Sequence, residues 1–391
     1  MNTPKVVIAG HICIDITPVF PDVKENIFKN QQNMTKSSIN EILIPGTLVR
    51  VNDIDIHTGG VVANTGLAVR FFGLDVTLMG KVGTDAFGTM ILDILKEHGS
   101  TDGMLISKVD STSYSIVIAI PGVDRIFLHN PGANDRFSSS DLDYNEIENA
   151  HLFHFGYPPL MRHLYENKGK DLVHMFKKID AMGIITSLDL AAVDDRSPAA
   201  QADWKEILSL VLPFVDFFVP SFEELAYMLD KPLLTRLRTA SASGDPIEAL
   251  SFERDVRPLA EHALSLGAKI VLIKCGSRGL YCKTADKRGF LSLRKKAEKL
   301  NFPSLLSWNN QTIAEPAFTP RKILSATGAG DTSIAAFLSA MLKGYPLGSC
   351  IKLAAATGSS CLEAYDAFGG LKPFLELQKM IDAGWSQNRE G

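Results

Sequence analysis

Hydrophobic and polar positions along the chain follow two alternating patterns. From Lys5 to Ile16, a short apolar run rich in β-branched residues predicts one buried strand. Over residues 61–72 the spacing becomes helical, with small residues on one side. Beyond residue 150, apolar runs of strand length alternate with helical stretches. This alternation predicts an α/β fold with a doubly wound, mostly parallel sheet flanked by helices.

Two β-rich segments interrupt the α/β pattern. Alternation within about 36–58 predicts strand structure, and alternation within about 111–130 predicts a hairpin that turns at Pro121-Gly122. We expect these segments to form a small accessory β-sheet inserted in one α/β domain that spans residues 1–391.

Two further segments lack a clear period. The polar stretch 231–255 contains the sequence SASGDP and is interpreted as an insertion on the surface. The basic stretch 287–320 is interpreted as an irregular insertion. Small-residue helices are predicted from Thr332 onward.

Composition excludes several classes of function. The 391 residues carry 40 Lys and Arg against 44 Asp and Glu, a net charge of −4. General nucleic-acid binders and membrane-surface proteins need a basic surface, so we expect neither nucleic-acid nor membrane partners. No apolar run reaches the roughly 18 residues of a membrane span. The five scattered cysteines lack CxxC spacing and indicate reduced thiols, which predicts a cytoplasmic protein.

The strongest chemical feature is the heptapeptide SATGAGD, from Ser325 to Asp331, which runs into a helical sequence. Glycines permit a tight turn and expose backbone N–H groups, which form an anion site at a helix N-terminus. Asp331 would lie beside a phosphoryl group held there and could accept the proton of an attacking hydroxyl. A packing turn with an acidic residue in the first helical turn would show the same sequence.

A second glycine-rich segment starts at Gly59-Gly60, has Asn64 one helical turn later, and continues as GKVGTDAFG over 80–88. Paired glycines allow close approach of a ligand, and Asn64 offers both a donor and an acceptor. Tight packing of a helix on a strand through small residues explains this segment equally simply.

Together these segments resemble the ribokinase/PfkB family of carbohydrate and nucleoside kinases. The family motifs GGxxxN, GxVGxDxFG and DxxGAGD have counterparts here in the same order. The resemblance runs from about Lys5 to Gly370 and includes three weaker matches: NPGAN at 130–134, PSFEE at 220–224 and KCGSRG at 274–279. It implies a ribokinase-like fold with a lid, and ATP and Mg²⁺ as cofactors.

The resemblance also implies a role for each matching residue. Asp331 would be the catalytic base, and the transferred phosphoryl group would be bound by the backbone amides of Gly328, Ala329 and Gly330. Mg²⁺ would be organised through water by Glu224. The substrate pocket would include Asp15, Gly59, Gly60, Asn64 and Asn134. ATP would lie against Lys274, Gly276, Ser277, Gly279, Thr327, Ala356 and Gly369.

Two positions depart from the family motifs. Ser221 replaces the Asn of the NxxE element, which would weaken the polar network around Mg²⁺ and phosphate. Ser325 replaces the Asp that opens DxxGAGD. Many relatives bind a monovalent cation near that Asp, so activation by a monovalent cation is left open. Neither change removes Asp331.

These features predict an ATP-dependent kinase whose acceptor is a hydroxyl group, most simply the hydroxymethyl group, of a sugar or related small molecule. A nucleoside kinase of the same family is one alternative, although the lid segments offer few aromatic residues beyond Tyr114 and Phe127. A sensor that binds sugar and nucleotide without turnover is the other. A sugar-phosphate acceptor would need pocket cations, for which the candidates are Arg50, Arg125 and Arg136. The lid is also a candidate surface for a homodimer.

Overall fold

The computed structural model describes residues 3–20, 43–120, 126–364 and 366–388. In chain order its strands are β1 (Lys5–Gly10), β2 (Cys13–Pro18), β3 (Ile54–Gly59), β4 (Asp75–Met79), β5 (Lys81–Gly83), β6 (Leu105–Ser107), β7 (Tyr114–Ile118), β8 (Ile126–Asn130), β9 (Leu152–Gly156), β10 (Ile185–Leu188), β11 (Phe217–Phe218), β12 (Ile270–Lys274), β13 (Leu280–Thr284) and β14 (Thr312–Glu315).

The α-helices of the described residues are α1 (Val61–Phe71), α2 (Ala86–Glu97), α3 (Tyr144–Glu148), α4 (Arg162–Ala181), α5 (Trp204–Val211), α6 (Phe222–Leu229), α7 (Lys231–Ala240), α8 (Arg257–Ser265), α9 (Leu291–Lys299), α10 (Ala329–Leu342), α11 (Leu347–Cys361) and α12 (Phe374–Asp382). Residues 166–169 within α4 are not helical, so this range consists of two helical segments.

The central sheet confirms the predicted α/β architecture. Its eight strands lie in the order β14-β13-β12-β11-β10-β9-β1-β4. The strands from β12 to β4 are parallel, with Ile8 of β1 paired to Leu78 on one side and His154 on the other. At one end of this sheet the pairings β12–β13 and β13–β14 are antiparallel, so β13 alone among these strands runs in the opposite direction. Most of the described sheet is therefore parallel, as the alternation of strands and helices predicts.

Both faces of the central sheet are covered by helices. On one face Val6 and Ile8 belong to a buried cluster with residues of α1 and α10, including Ile334. On the other face Val7 and Ala9 pack in a cluster that includes Phe176 of α4. Because successive side chains of a strand point to opposite faces, a strand covered on both sides is apolar throughout. This explains the continuous apolar run of β1.

The prediction of one strand over Lys5–Ile16 is wrong, because the chain changes sheets within that run. β1 ends at Gly10, whose φ is 127°, and β2 begins at Cys13 in a second sheet. Ile12 in the link and Ile14 in β2 are both fully buried. Since the apolar pattern continues across the turn, periodicity alone does not reveal it.

The second sheet has four strands in the order β3-β2-β7-β8 and confirms the predicted lid sheet. β2 pairs antiparallel with β3 and parallel with β7, and β7 pairs antiparallel with β8 as the predicted hairpin requires. The predicted turn at Pro121-Gly122 lies outside the described residues, as do residues 36–42. Within the rest of the first segment, the strand is limited to β3, and residues 43–53 form turns and coil.

Both predicted insertions are more ordered than their sequences indicate. Within 231–255, most residues are exposed as the interpretation as a surface segment requires, but α7 gives the segment helical structure and buries Leu234 and Leu237 against the core. Within 287–320, α9 and the edge strand β14 correct the expectation of irregular structure. The Lys296 side chain of α9 lies 2.6 Å from Asp216 and 2.7 Å from Asp180, an anchor that depends on distant residues and leaves no local sequence pattern.

The carboxyl ends of the parallel strands meet along one edge of the central sheet. β1 is followed there by His11, β9 by Tyr157 and β10 by Asp189, while β12 ends in Lys274. In open α/β sheets this edge is where ligands bind. Among the helices of the described residues, none is long and apolar enough to cross a membrane.

Candidate functional site

The N-terminus of α10 faces this edge and is formed by the predicted glycine-rich turn. Gly328 is the N-cap residue with φ 75°, and a Cβ there would overlap Ala367, so the turn requires glycine. The Ser325 hydroxyl accepts a hydrogen bond from the Thr327 amide at 3.1 Å and supports the turn. The Ala329 amide donates to the Ala326 carbonyl at 3.4 Å. The following first-turn amides have no carbonyl one turn earlier within the helix, which leaves them available for an anion.

Asp331, in the first turn of α10, is 5% exposed. Its Oδ1 accepts a hydrogen bond from the Tyr157 hydroxyl at 2.6 Å, and its Oδ2 accepts one from the Asn64 side-chain amide at 2.9 Å. Burial raises the pKa of Asp331, while the two hydrogen bonds and the positive charge of Lys274 oppose this increase. A buried carboxylate with a raised pKa at a helix N-terminus is suited to accept a proton.

Asn64 reaches Asp331 because α1 begins at the predicted pair of glycines. Gly60 has φ 86°, and a Cβ there would lie 2.5 Å from the His11 carbonyl oxygen. A Cβ at Gly59 would overlap the Asp15 carboxylate. The glycines therefore allow α1, the end of β1 and the lid strand β2 to approach closely, and this places Asn64 against the carboxylate.

A cavity of about 560 Å³ opens beside Asp331, and we call it the strand-end cavity. Its lining includes Tyr157, Asp189, Ser221, Glu224, Lys274, Gly276, Ser277, Gly279, Gly328, Ala329, Gly330, Asp331, Ala355, Gly358 and Ser359. Most residues predicted on the ATP side thus surround one cavity together with the residues of the glycine-rich turn.

A buried ion pair lies at the wall of the strand-end cavity. The Lys274 Nζ is 2.7 Å from the Asp189 Oδ1. Burial raises the pKa of Asp189, and Lys274 opposes this. Burial lowers the pKa of Lys274, but the surrounding carboxylates outweigh it and the net change is upward. Lys274 is therefore cationic within the cavity and suited to an anionic ligand.

Glu224 lies in the strand-end cavity and also takes part in the cap of α6. Ser221 is the N-cap: its amide donates to Glu224 Oε2 at 2.7 Å, and its hydroxyl accepts from the Glu224 amide at 3.3 Å. This capping box uses one of the two carboxylate oxygens. In the part of the chain that the structure describes, no group of three or more His, Cys, Asp or Glu residues could by itself hold a metal ion.

A second cavity of about 500 Å³, the lid cavity, lies between the lid and the residues just before α10. Asp15 of β2 lines it together with Asp55, His57 and Ser325. Asp55 is 3.1 Å from His57, and Asp15 accepts a hydrogen bond from the Cys13 thiol at 3.4 Å. Its apolar lining is supplied by Val19, Phe20, Val117, Ala119, Ile120, Phe127, Ile323 and Leu324.

Several predicted site residues do not line the cavity expected of them. Gly59, Gly60 and Asn64 line neither cavity, although Asn64 contacts Asp331. Thr327 lines the lid cavity and not the strand-end cavity. Asn134 is fully buried, with its Oδ1 3.3 Å from the Ile12 amide and its Nδ2 2.8 Å from the Ile12 carbonyl. Ala356 is fully buried in the core, while its neighbours on α11 reach the cavity. Gly369 follows α11 and donates its amide to Asp366.

Two residues at the centre of this arrangement have no counterpart among the predicted site residues. Tyr157 holds Asp331, and Asp189 holds Lys274. Both follow the carboxyl end of a buried parallel strand. A polar residue directly after such an apolar run is the signal that could have indicated them.

Comparison with known proteins assigns this arrangement to a family. The model of the pfkB family carbohydrate kinases matches residues 29–369. The chain belongs to this family. An uncharacterized sugar kinase of Archaeoglobus fulgidus is 25% identical over 300 residues, which cover 76% of this chain and 96% of the relative.

Solved structures agree on the fold of this pfkB-family chain. The ribokinase of Arabidopsis thaliana, complexed with ribose and ATP, superposes with a TM-score of 0.66 at 19% identity and covers 97% of this chain and 99% of that chain. An E. coli chain in complex with ATP and Mg²⁺ superposes with a TM-score of 0.66 at 18% identity, over 97% and 99% of the two chains. At these identities the likeness shows a ribokinase fold.

Proposed function

We propose that this pfkB-family chain transfers the γ-phosphate of ATP to a hydroxyl group, most simply a hydroxymethyl group, of a sugar or related small molecule. The observation that carries the proposal is the position of Asp331. This buried carboxylate lies at the N-terminus of α10, whose preceding turn borders both cavities through Ile323 and Ala326. Asp331 itself lines the strand-end cavity, and an acceptor in the adjoining lid cavity would reach it past this shared turn.

The chemistry follows from the positions of the groups. Asp331 accepts the proton of the acceptor hydroxyl. The oxygen of that hydroxyl bonds to the γ-phosphorus, and the bond between the γ-phosphorus and the β,γ-bridging oxygen breaks. The products are ADP and the phosphorylated acceptor. The amides of Gly328 and Gly330, together with Lys274, would offset the negative charge of the transferred group, while the Ala329 amide donates within the turn. A positioned base of this kind contributes roughly 10²–10⁴-fold to rate.

The residues of the strand-end cavity fit ATP with Mg²⁺. Mg²⁺ keeps several waters and binds through one or two carboxylates together with substrate phosphates, so it needs no cluster of protein ligands. Glu224, with one oxygen outside the capping box, would hold it through water. When bound, Mg²⁺ would neutralise negative charge on the phosphates of ATP. Ser221 stands where the family has Asn and still caps the N-terminus of α6. The capping box keeps the Glu224 side chain at the cavity, which supports its proposed role toward Mg²⁺.

The lid cavity supports a neutral polyhydroxyl acceptor. Carboxylates accept hydrogen bonds from hydroxyl groups, and Asp15 and Asp55 each supply a carboxylate to the lining of this cavity. Neither Arg50 nor Arg136 lines this cavity, and Arg136 pairs with Asp110 at 3.3 Å. Arg125, the third candidate for a sugar-phosphate site, lies outside the described residues.

A nucleoside acceptor is the second candidate function. Phe20 and Phe127 both line the lid cavity and would offer apolar contact to a nucleobase. The sequence pattern did not indicate Phe20. A panel of sugars, sugar phosphates and nucleosides, each tested for acceptor-dependent ADP formation, separates the two candidates.

We also propose that the lid pairs with the lid of a second copy of the chain. Ile54 of β3 and Leu128 of β8 are 55% and 51% exposed on the two edge strands of the lid sheet. Apolar edge strands are usually covered by another element or another chain.

The direct test is Asp331→Asn, with ADP formation measured across the acceptor panel. We expect kcat to fall by at least roughly 10²-fold while ATP binding by calorimetry stays close to that of the parent. Asp195→Asn is a matched control, because Asp195 also accepts a tyrosine hydroxyl, from Tyr227 at 2.6 Å, but lies outside both cavities. Equal turnover by parent and Asp331→Asn would contradict the mechanism, and binding of sugar and ATP without turnover by the parent would support a sensor.

A further inference from the structure

Tyr157 occupies a conformation that its residue type disfavours. It follows β9 with φ 70° and ψ 41°, in the left-handed region, and is followed by Pro158 and Pro159. Residues other than glycine keep such a conformation when the surroundings hold them there, and such positions concentrate at functional sites. The conformation of Tyr157 places its side chain at the wall of the strand-end cavity.

The Tyr157 side chain is aimed at the carboxylate of Asp331. Its hydroxyl donates to Oδ1 at 2.6 Å, while Asn64 donates to Oδ2 at 2.9 Å from a different element. Two donors on two oxygens fix the plane of the carboxylate. The phenol ring in turn contacts the ring of His11, with 5.9 Å between the ring centroids.

His11 supports Tyr157 from the end of β1. It is 2% exposed, and among the described residues neither of its ring nitrogens has a hydrogen-bond partner. Its backbone carbonyl accepts from the Val62 amide at 3.2 Å, and a Cβ at Gly60 would lie 2.6 Å from its Nδ1. The ring is therefore held by packing, and it limits the positions open to the phenol.

Tyr157 provides the shortest hydrogen bond to Asp331 in the described part of the site. The other titratable groups that face Asp331 are Lys274 on β12, Glu224 on α6, Asp189 after β10 and Cys361 on α11. Burial and the Asp331 charge raise the pKa of the Tyr157 hydroxyl, so it stays protonated and donates. A donor that stays protonated favours the ionised form of its acceptor.

We propose that Tyr157 is a positioning residue for phosphoryl transfer, holding Asp331 ionised and oriented toward the acceptor hydroxyl. This inference rests on the proposed function, in which Asp331 is the base. Tyr157 takes no part in bond making. It acts through the carboxylate, together with Asn64.

The test is Tyr157→Phe, which keeps the ring and removes the donor. Loss of a hydrogen bond to a charged group leaves burial less opposed, so the pKa of Asp331 rises further. A base works when deprotonated, so the acid limb of the pH profile of kcat should move up by about one pH unit, which lowers kcat roughly tenfold at pH values below that limb. ATP affinity and the KM for the acceptor should change little.

Tyr227→Phe is the matched control. It removes a hydroxyl that donates to a carboxylate at the same distance of 2.6 Å, outside both cavities. We expect an unchanged pH profile for this variant. A parent that forms no ADP with any acceptor would contradict the proposed function itself. An active parent with the same profile as Tyr157→Phe would contradict only the role of Tyr157.

Replacement of Tyr157 by 3-fluorotyrosine covers the case in which Tyr157→Phe does not fold. It keeps the hydroxyl and makes it a stronger donor, so the acid limb should move to lower pH. A profile unchanged in this variant would overturn the proposal, because a purely structural phenol would not respond to donor strength.

Discussion

At the scale of single residues, the strand-end cavity depends on paired charges. Lys274 and Asp189 neutralise each other within 2.7 Å in a buried setting. Removing one partner of a buried pair leaves an uncompensated charge, which costs about 3–5 kcal/mol. The same lysine that makes the cavity suited to an anionic ligand therefore also stabilises the fold.

We predict that Lys274→Met destabilises the protein in a pH-dependent way. Without Lys274, burial of Asp189 is unopposed, so its folded-state pKa lies further above the unfolded value. The protonated carboxyl is then tolerated at low pH, and stability is lost as pH rises from the unfolded toward the folded pKa. Urea unfolding at pH 5 and pH 8 should show a larger deficit at pH 8.

The double variant Lys274→Met with Asp189→Asn should recover most of the stability at pH 8, because no charge is left unpaired. Lys231→Met is the control, since Lys231 pairs with Asp195 at 3.8 Å on the surface. An equal deficit at both pH values would show that lost packing of the lysine stem, and not the buried charge, destabilises the variant.

At the scale of elements, each predicted motif lies where one element ends and another begins. The glycine-rich turn starts α10, the paired glycines start α1, and the PSFEE segment starts α6. Turns and caps have local sequence rules, so the sequence predicts them well. The change of sheet at His11 and the docking of α9 through Lys296 depend on distant partners and leave no local pattern.

Ser221→Ala tests whether the cap of α6 supports the cavity. Loss of the cap should lower the free energy of unfolding by about 1 kcal/mol. Because the lost hydroxyl also accepts from the Glu224 amide and fixes the first turn of α6, we expect the Glu224 side chain to be less well placed and the apparent Mg²⁺ requirement for turnover to be higher. Ser221→Asn keeps a good N-cap and serves as the control, which should behave like the parent in urea unfolding and in Mg²⁺ titration.

If Ser221→Ala lost stability and kept the Mg²⁺ dependence of the parent, Glu224 would be a capping residue only. If Ser221→Asn lowered the Mg²⁺ requirement below that of the parent, the family's Asn would add a contact that Ser221 lacks. Either outcome would show whether the residues at the NxxE element only cap α6 or also contribute to Mg²⁺ binding, which the sequence does not distinguish.

At the scale of the whole molecule, the sequence motifs predicted the fold because they occur along this chain in the same order as in the family. They identified the α/β sheet, the lid and the base candidate Asp331. They did not identify Tyr157 or Asp189, because a single polar residue after a buried strand is a weaker signal than a motif and only the topology brings those strand ends together. They also placed Thr327 on the ATP side, whereas the structure places it in the lid cavity.

The lid gives the last prediction, which concerns assembly. β8 is an edge strand of the lid sheet, and its Ile126, Phe127 and Leu128 are all exposed. An apolar edge with both faces exposed favours pairing with another strand. We therefore expect a mass near twice the chain mass of 42.7 kDa by light scattering at micromolar concentration.

Leu128→Lys should shift this mass toward that of one chain, because a charge on the edge strand opposes pairing. Leu210→Lys, at a residue of α5 that is 42% exposed and outside the lid, should leave the mass unchanged. Because β8 also supplies His129, whose ring lies 5.5 Å from that of His11, a change of pairing could alter the acceptor KM. A parent that elutes as one chain would show that the apolar edge serves the lid cavity alone, and the KM of Leu128→Lys would then measure that contribution directly.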